Sequence, residues 1–345
     1  MAKRIFDPKK HVGSLISKEY YKDLLLFRNA LETECDNFFR KLGAPKVDLF
    51  LISNSISSPI ASGSDSKPIE FRLDKNKYFL ADSSQFGMEP LLFSFDMVYC
   101  YLPSFRGEDP DSRHLTQFFH CEAEMRHSYK VAMRIAENLI KHLIKIALID
   151  SNKRIYFPQI AKSRILARII DSKFPRITFS EAVKLLESRG YKKLIKYNKF
   201  GRILTSEAEK MIIYLVSNNK LPVWVTNFDR DVVAFYQAPD PRDPARVLNA
   251  DLLVPPLSEN GFGGEILGLG QRQNNIAEMA NSIKRQHIKN AENYKWYLEL
   301  RKHSKYRTTS GFGMGIERFV SWILKLENLF DACLYPVLKG IKTPY

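Results

Sequence analysis

Two stretches far apart in the chain carry arginines in settings suited to phosphate. The first runs Phe105-Arg106-Gly107-Glu108 and continues through Arg113-His114 to Phe118. Arginine presents a planar fork of donors that matches phosphate oxygens. A nearby carboxylate can orient that fork or bind an amine, and an aromatic ring can stack on a purine. Arg106, Glu108, Arg113, His114 and Phe118 therefore hold the parts needed to grip a nucleoside triphosphate. A solvated hairpin tip with a chance cluster of charges is the plain alternative. The second stretch is Gly311-Phe-Gly-Met-Gly-Ile-Glu-Arg-Phe319. Its glycines alternate with apolar residues, a strand pattern that lets a backbone or flat ligand approach closely. Arg318 falls where this strand meets a helix start, a common place to hold anions; a salt bridge between packed elements would also account for it. Between the two stretches, Asp251 and Glu265 stand on neighbouring strand ends and could share a magnesium ion bridging phosphates. Arg272, after Gln271, could meet a carboxylate-like group. A strand-end cap for Asp251 and a surface ion pair for Arg272 are the alternatives.

These residues need elements to position them. Apolar spacing predicts a helix over 19–42, stopped by Gly43. Asp48–Ile52 reads as a strand, Ser53–Lys67 as a Ser/Gly/Pro loop, 68–73 and 78–81 as a strand pair, and Glu89–Val98 as helical. Tyr99–Arg106 and Phe118–Glu124 read as a hairpin whose tip, Glu108–Ser112, is polar. A strong amphipathic helix is expected over 128–148. Residues 150–215 read as a mostly helical, basic insertion. Strands are expected at Pro222–Thr226, Val232–Tyr236, Val247–Val254 and Glu265–Gly268, a helical region over 275–302, and last the glycine strand with its helix. Strands arriving as hairpins among helices predict an α+β fold with an antiparallel sheet.

Composition narrows the class. The chain has 345 residues, 45% hydrophobic and 12% aromatic, enough for one large domain or two small ones. Its net charge of +15 favours polyanions such as nucleotides, RNA or an acidic membrane face, or else serves only to keep a lysine-rich protein dispersed. The cysteines Cys35, Cys100, Cys121 and Cys333 form no C-x-x-C pair, which argues against a zinc site or a disulfide framework and for a reducing compartment. The N-terminus has no apolar signal stretch and no apolar run reaches membrane-spanning length, so a cytoplasmic protein without membrane contact is expected.

Several ordered motifs resemble one family. Phe105-Arg-Gly-Glu108, Arg113-His-Leu-Thr-Gln-Phe118 and Glu122-Ala-Glu124 are similar to the second signature of class II aminoacyl-tRNA synthetases, and Gly311–Arg318 to the third. The subgroup is that for aspartate, asparagine and lysine. Phe174–Val183, Pro222–Thr226, Gly264–Gly268 with Gln271-Arg272, and Asp331–Pro336 look most like its asparaginyl members, over roughly residues 20–345. The archaeal-type asparagine synthetases are also similar. The resemblance implies a class II sheet of about six antiparallel strands flanked by helices, a homodimer, and ligation driven by ATP with Mg2+. Residues 1–345 are then one catalytic domain carrying the 150–215 insertion, with no anticodon-binding β-barrel (OB-fold) ahead of it. By matching position, Arg106 would grip the α-phosphate, Phe118 would stack on adenine and Glu108 would lie at the adenine or ribose side. Arg113, beside His114, and Arg318 would hold the β- and γ-phosphates, while Asp251 and Glu265 would hold magnesium. Ser83, Gln85 and Glu122 would meet the amino acid's α-amino end. Arg272, beside Gln271, would face its side-chain oxygen.

The chain also departs from the pattern. Met88 stands where aspartate enzymes carry a lysine, and Glu89 follows, suited to an amide NH2; this favours asparagine or an analogue. Gly268 replaces the aspartate enzymes' metal-contacting serine, and Gly270 a serine of the asparagine enzymes. Phe330 precedes Asp331 and Val337 follows Pro336 where arginines are expected, and the hairpin tip is one residue short. Three readings follow: an adenylate-forming ligase that passes asparagine or an analogue to tRNA or another acceptor; an asparagine synthetase-like enzyme that amidates aspartate with ammonia; and a non-catalytic paralogue that binds RNA or protein.

Overall fold

The computed structural model describes residues 5–59, 67–149, 157, 160, 162–338 and 340. The helices are α1 (His11–Ser17), α2 (Glu19–Lys41), α3 (Gln85–Met88), α4 (Tyr129–Leu148), α5 (Arg164–Asp171), α6 (Phe179–Ser188), α7 (Ser206–Ser217), α8 (Ile276–Arg285), α9 (Lys295–Glu299) and α10 (Ile316–Leu324). Strands β1 (Ile52–Ser53), β2 (Glu70–Leu73) and β3 (Asn76–Leu80) form a small outlying sheet. The central sheet is built from β4 (Met97–Phe105), β5 (Gln117–Met125), β6 (Arg176–Thr178), β9 (Val223–Thr226), β12 (Asn249–Val254), β13 (Gly264–Gln271) and β14 (Ser310–Gly315). Two hairpins complete the set: β7 (Ile195–Asn198) with β8 (Gly201–Leu204), and β10 (Pro239–Asp240) with β11 (Asp243–Val247).

The central sheet runs β4-β5-β14-β13-β12-β9-β6. Its first six strands are antiparallel, as expected, and β6 adds a parallel edge beside β9. Strand periodicity divides the sheet into two chemically different faces. Cys121, Ala123 and Met125, with Ala250, Leu252, Leu267, Phe312 and Met314, point into the main core, where α2, α4 and α10 cover them. The residues between them, including His120, Glu122, Glu124, Asp251, Gly268 and Gly313, face an open cavity. A smaller core of α6 and α7 against Val223, Val225 and Leu253 walls one end of that cavity. An aromatic cluster of Phe86, Phe235, Tyr236, Tyr294 and Tyr297 meets the cavity elsewhere through Tyr236.

Some elements differ from expectation. The 48–52 strand reduces to Ile52–Ser53, and the helix expected over 89–98 is a single turn of 3-10 helix, Glu89–Phe93, before β4 begins. Val232–Tyr236 is no strand: Phe235 and Tyr236 are buried because they pack into the aromatic cluster. The 275–302 region is broken between α8 and α9, where His287 and Asn290 adopt φ of 52° and 55°. The 150–215 region holds α5, α6 and α7 but also contributes β6 to the sheet and the β7–β8 hairpin. All four cysteines are buried and free. Among the described residues no helix is long and apolar enough to cross a membrane.

Candidate active site

The open face of the sheet has one cavity of about 400 Å3 and a smaller recess that shares Arg106, His120, Glu265 and Gly313 with it. The recess gathers Arg106, Glu108, Arg113, His114, Phe118, Glu265 and Arg318. Residues more than two hundred positions apart in sequence thus meet because β5 and β14 are sheet neighbours. The Arg106 guanidinium lies 5.3 Å from the centre of the Phe118 ring, and Arg318 donates to the Glu265 backbone oxygen (3.2 Å) and pairs with its carboxylate (3.1 Å). Glu108 accepts from the Lys67 backbone with one oxygen while the other, like Arg106 Nε and Arg113 Nε and Nη1, is buried without a partner. Buried donors without acceptors are costly unless something fills the site. His114 lies at the rim and contacts Asp111 at 2.9 Å.

Glu209, from α7, had no place among the sequence candidates. It pairs with Arg113 Nη2 (2.9 Å) and accepts from the Glu265 backbone NH (3.1 Å). A glutamate after a helix start reads from sequence as a first-turn acid, so nothing local signalled its reach into the cavity.

Asp251 and Glu265 lie on β12 and β13, both beside Gly268, where an added Cβ would stand 3.5 Å and 3.7 Å from their carboxylate oxygens. Burial, then Glu265 and Glu209, push the Asp251 carboxyl well up. Burial also raises Glu265, but Arg318 and Arg106 outweigh it and hold that group below its ordinary value. No cluster of three or more metal-ligating side chains forms among the described residues. Two carboxylates without a full protein cage suit magnesium, which keeps water and phosphate oxygens in its shell.

The larger cavity holds the other candidates. Glu122 accepts from Ser83 Oγ and the Ser84 backbone NH, both at 2.6 Å, and burial pushes its carboxyl up against those bonds. Gln85 lines the same wall with its amide nitrogen buried and unpartnered. His120 sits between the two parts; burial, then Arg106 and Arg318, lower it to about 3, so it is a neutral imidazole. At the far end Arg272 forms a buried ion pair with Glu124 and lies 5.4 Å from the centre of the Tyr236 ring. Burial pushes Glu124 up to about 7, against the pull of Arg272. Glu124 was legible only as part of a motif, with no role attached.

Two candidates lie elsewhere. Glu89 does not line the cavity: Arg301 Nη2 (2.6 Å) and Tyr297 OH (2.5 Å) take its oxygens in a wholly buried cluster. Gln271 turns to the opposite face, where its oxygen accepts from the Tyr129 backbone at 3.3 Å; neighbours on a strand point to opposite sides, so only Arg272 enters. The glycine pattern has a steric cause. Gly311 and Gly313 are paired across the strands with Glu124 and Glu122, and a Cβ at Gly311 would stand 1.9 Å from the Glu124 carboxylate.

The chain matches the family of tRNA synthetases class II (D, K and N) over residues 9–339. It belongs to that family. With its family the chain is an ATP-dependent ligase of the aminoacyl-adenylate-forming type. It is 32% identical over 315 residues to an asparagine–tRNA ligase of Pelotomaculum thermopropionicum, covering 91% of this chain and 68% of that one. An asparagine–tRNA ligase of Pyrococcus abyssi is 33% identical over 271 residues, 76% of this chain and 58% of that one. The chain thus spans roughly three-fifths to two-thirds of such relatives. Among solved structures, asparaginyl-tRNA synthetase from Pyrococcus horikoshii complexed with asparaginyl-adenylate superposes with a TM-score of 0.83 at 26% identity, over 98% of this chain and 73% of that one. The Entamoeba histolytica asparaginyl-tRNA synthetase shares the fold with a TM-score of 0.79 at 22% identity.

Proposed function

We propose that this synthetase-family chain activates asparagine with ATP and passes it to tRNA, acting as one catalytic unit that includes the 150–215 region, as a cytoplasmic homodimer. The observation that carries the choice of amino acid is the Glu124–Arg272 pair closing the cavity. A carboxamide offers one acceptor and one donor group, which an adjacent guanidinium and carboxylate answer together. A side-chain carboxylate would satisfy Arg272 but be repelled by Glu124. The buried Met88 supplies no second cation there.

In the proposed reaction Ser83, Gln85 and Glu122 hold the α-ammonium and Arg106 holds the α-phosphate. An oxygen of asparagine's α-carboxylate attacks that phosphorus; the new O–P bond forms as the bond to pyrophosphate breaks, and pyrophosphate leaves with the electron pair. The attacking group is already anionic, so no general base is required. The work of the site is to align two anions and offset their repulsion with fixed cations. Arg113 and Arg318 stabilise the leaving pyrophosphate, Phe118 stacks on adenine, and Glu108 and His114 border the nucleotide. Asp251 and Glu265 would hold Mg2+, which supplies further neutralisation of phosphate charge when bound.

Amino-acid-dependent ATP–pyrophosphate exchange tests the reading. Exchange with asparagine well above aspartate is expected, followed by transfer of labelled asparagine to tRNA. Ammonia-dependent asparagine formation from aspartate would replace it with the amidating reading, and no exchange with any amino acid would leave only a binding role.

A further inference from the structure

We infer that the outer strand of the β7–β8 hairpin, with the turn leading into it, is an RNA-binding surface that leads a polynucleotide to the mouth of the catalytic cavity. The inference rests on the proposed transfer to tRNA for its biological meaning, but its physical basis is separate. Residues 189–199 contain Arg189, Lys192, Lys193, Lys196 and Lys199 and no acid, so eleven residues supply five of the net +15 charges. All five are exposed, and none forms an ion pair among the described residues. The nearest acid, Glu187 at the end of α6, is engaged by the Tyr197 hydroxyl at 2.7 Å and fixes that ring against the surface. Tyr197 is 53% exposed and lies between Lys196 and Lys199 in sequence, which offers a base a flat ring to stack on near cations for the flanking phosphates.

The other strand of the hairpin turns inward. Arg202, Ile203 and Leu204 line the catalytic cavity. Arg202 is clamped to Asp229 through Nε (2.9 Å) and Nη2 (2.7 Å), and Arg246 Nη1 meets the same carboxylate at 2.7 Å. The hairpin is thus a fixed partition with a cationic outer strand and an inner strand forming part of the cavity wall. A polyanion lying along the outside passes within one strand's width of the cavity.

The test uses the whole chain and a fluorescein-labelled tRNA(Asn) transcript, titrated between about 50 and 200 mM salt. The variant K192Q/K193Q/K196Q/K199Q is expected to lose more than tenfold in affinity. Its slope of log K against log salt should become shallower by about 2 to 3, since each lost phosphate contact removes a little under one unit. Its asparagine-dependent exchange should match the unaltered protein, because none of the four lysines touches the cavity. A control that removes the same charge elsewhere, K22Q/K41Q/K75Q/K289Q, should stay within threefold. Affinity and slope unchanged in the first variant, or an equal loss in the control, would overturn the inference. A protein that shows no exchange but still loses RNA affinity only in the first variant would defeat the proposed reaction and leave this surface standing.

Discussion

The two ends of the cavity solve opposite electrostatic problems. At the recess Arg113 pairs with Glu209 and Arg318 with Glu265, yet Arg106 and Arg113 keep buried N–H groups with no acceptor. At the far end Arg272 and Glu124 cancel one another. An end with spare donors is built for a guest that brings negative charge; an end already balanced is built for one that brings dipoles. Under the proposed function, the contrast would keep a polyphosphate and a neutral carboxamide each in its own part of one cavity.

The sharpest way to break the contrast is to remove a cation from the recess. Arg318→Ala should reduce asparagine-dependent exchange on the order of 10³-fold while the far-UV spectrum stays unchanged. Near-normal exchange would show that the recess does not hold the reacting phosphates. The balanced end is probed by Glu124→Gln, which leaves Arg272 buried without its counter-charge. Unfolding in denaturant should show a loss of about 3–5 kcal/mol. The asparagine-to-aspartate exchange ratio should fall by roughly 10²-fold, since the lone guanidinium now favours a carboxylate. A ratio that does not move would sink the carboxamide reading. A smaller change is expected from Glu209→Gln, which weakens the hold on Arg113: about tenfold in kcat/KM for ATP, with KM for asparagine unaltered.

A further effect concerns acid stability. His120 is lowered to about 3 in the fold from an ordinary value of 6.5, so the unfolded chain binds the proton more readily. Its contribution is fully present above pH 6.5 and is lost as pH falls from there toward 3, at about 1.4 kcal/mol per unit. Between pH 6.5 and 5 the loss from this group is about 2 kcal/mol, and His120→Gln should remove that part of the slope. An unchanged slope would mean that His120 is not held neutral between Arg106 and Arg318.

How much of this was legible in the sequence depends on what kind of neighbour a residue has. The recess was readable because arginine, glutamate and phenylalanine at hairpin spacing, and glycines before Arg318, carry their chemistry in local patterns. The antiparallel sheet followed from strands arriving as hairpins, while the expectation of about six strands came from the family resemblance. Glu209 was not readable, since its partners Arg113 and Glu265 are distant in sequence and only the packing of α7 brings them together. Glu89 failed for the converse reason: its charge suggested a ligand contact, but Arg301 and Tyr297, both far along the chain, had already claimed it. The stretch Val232–Tyr236 looked like a strand because buried aromatics and β-branched residues have the same composition whether they pair with a sheet or fill a cluster.

One contact bears on how the chain is made. The Phe6 backbone NH donates to Asp331 Oδ1 at 2.8 Å, across 325 positions, and Tyr20 OH donates to the Asp331 backbone oxygen nearby. Closing a loop of that length in an otherwise unfolded chain would cost roughly 5 kcal/mol, far more than one hydrogen bond returns. During translation the early segment therefore has to wait, undocked, until the sheet has assembled and drawn the gap together. Nascent chains halted before Asp331 should leave residues near Phe6 open to protease, and release of Asp331 from the ribosome should abruptly protect them.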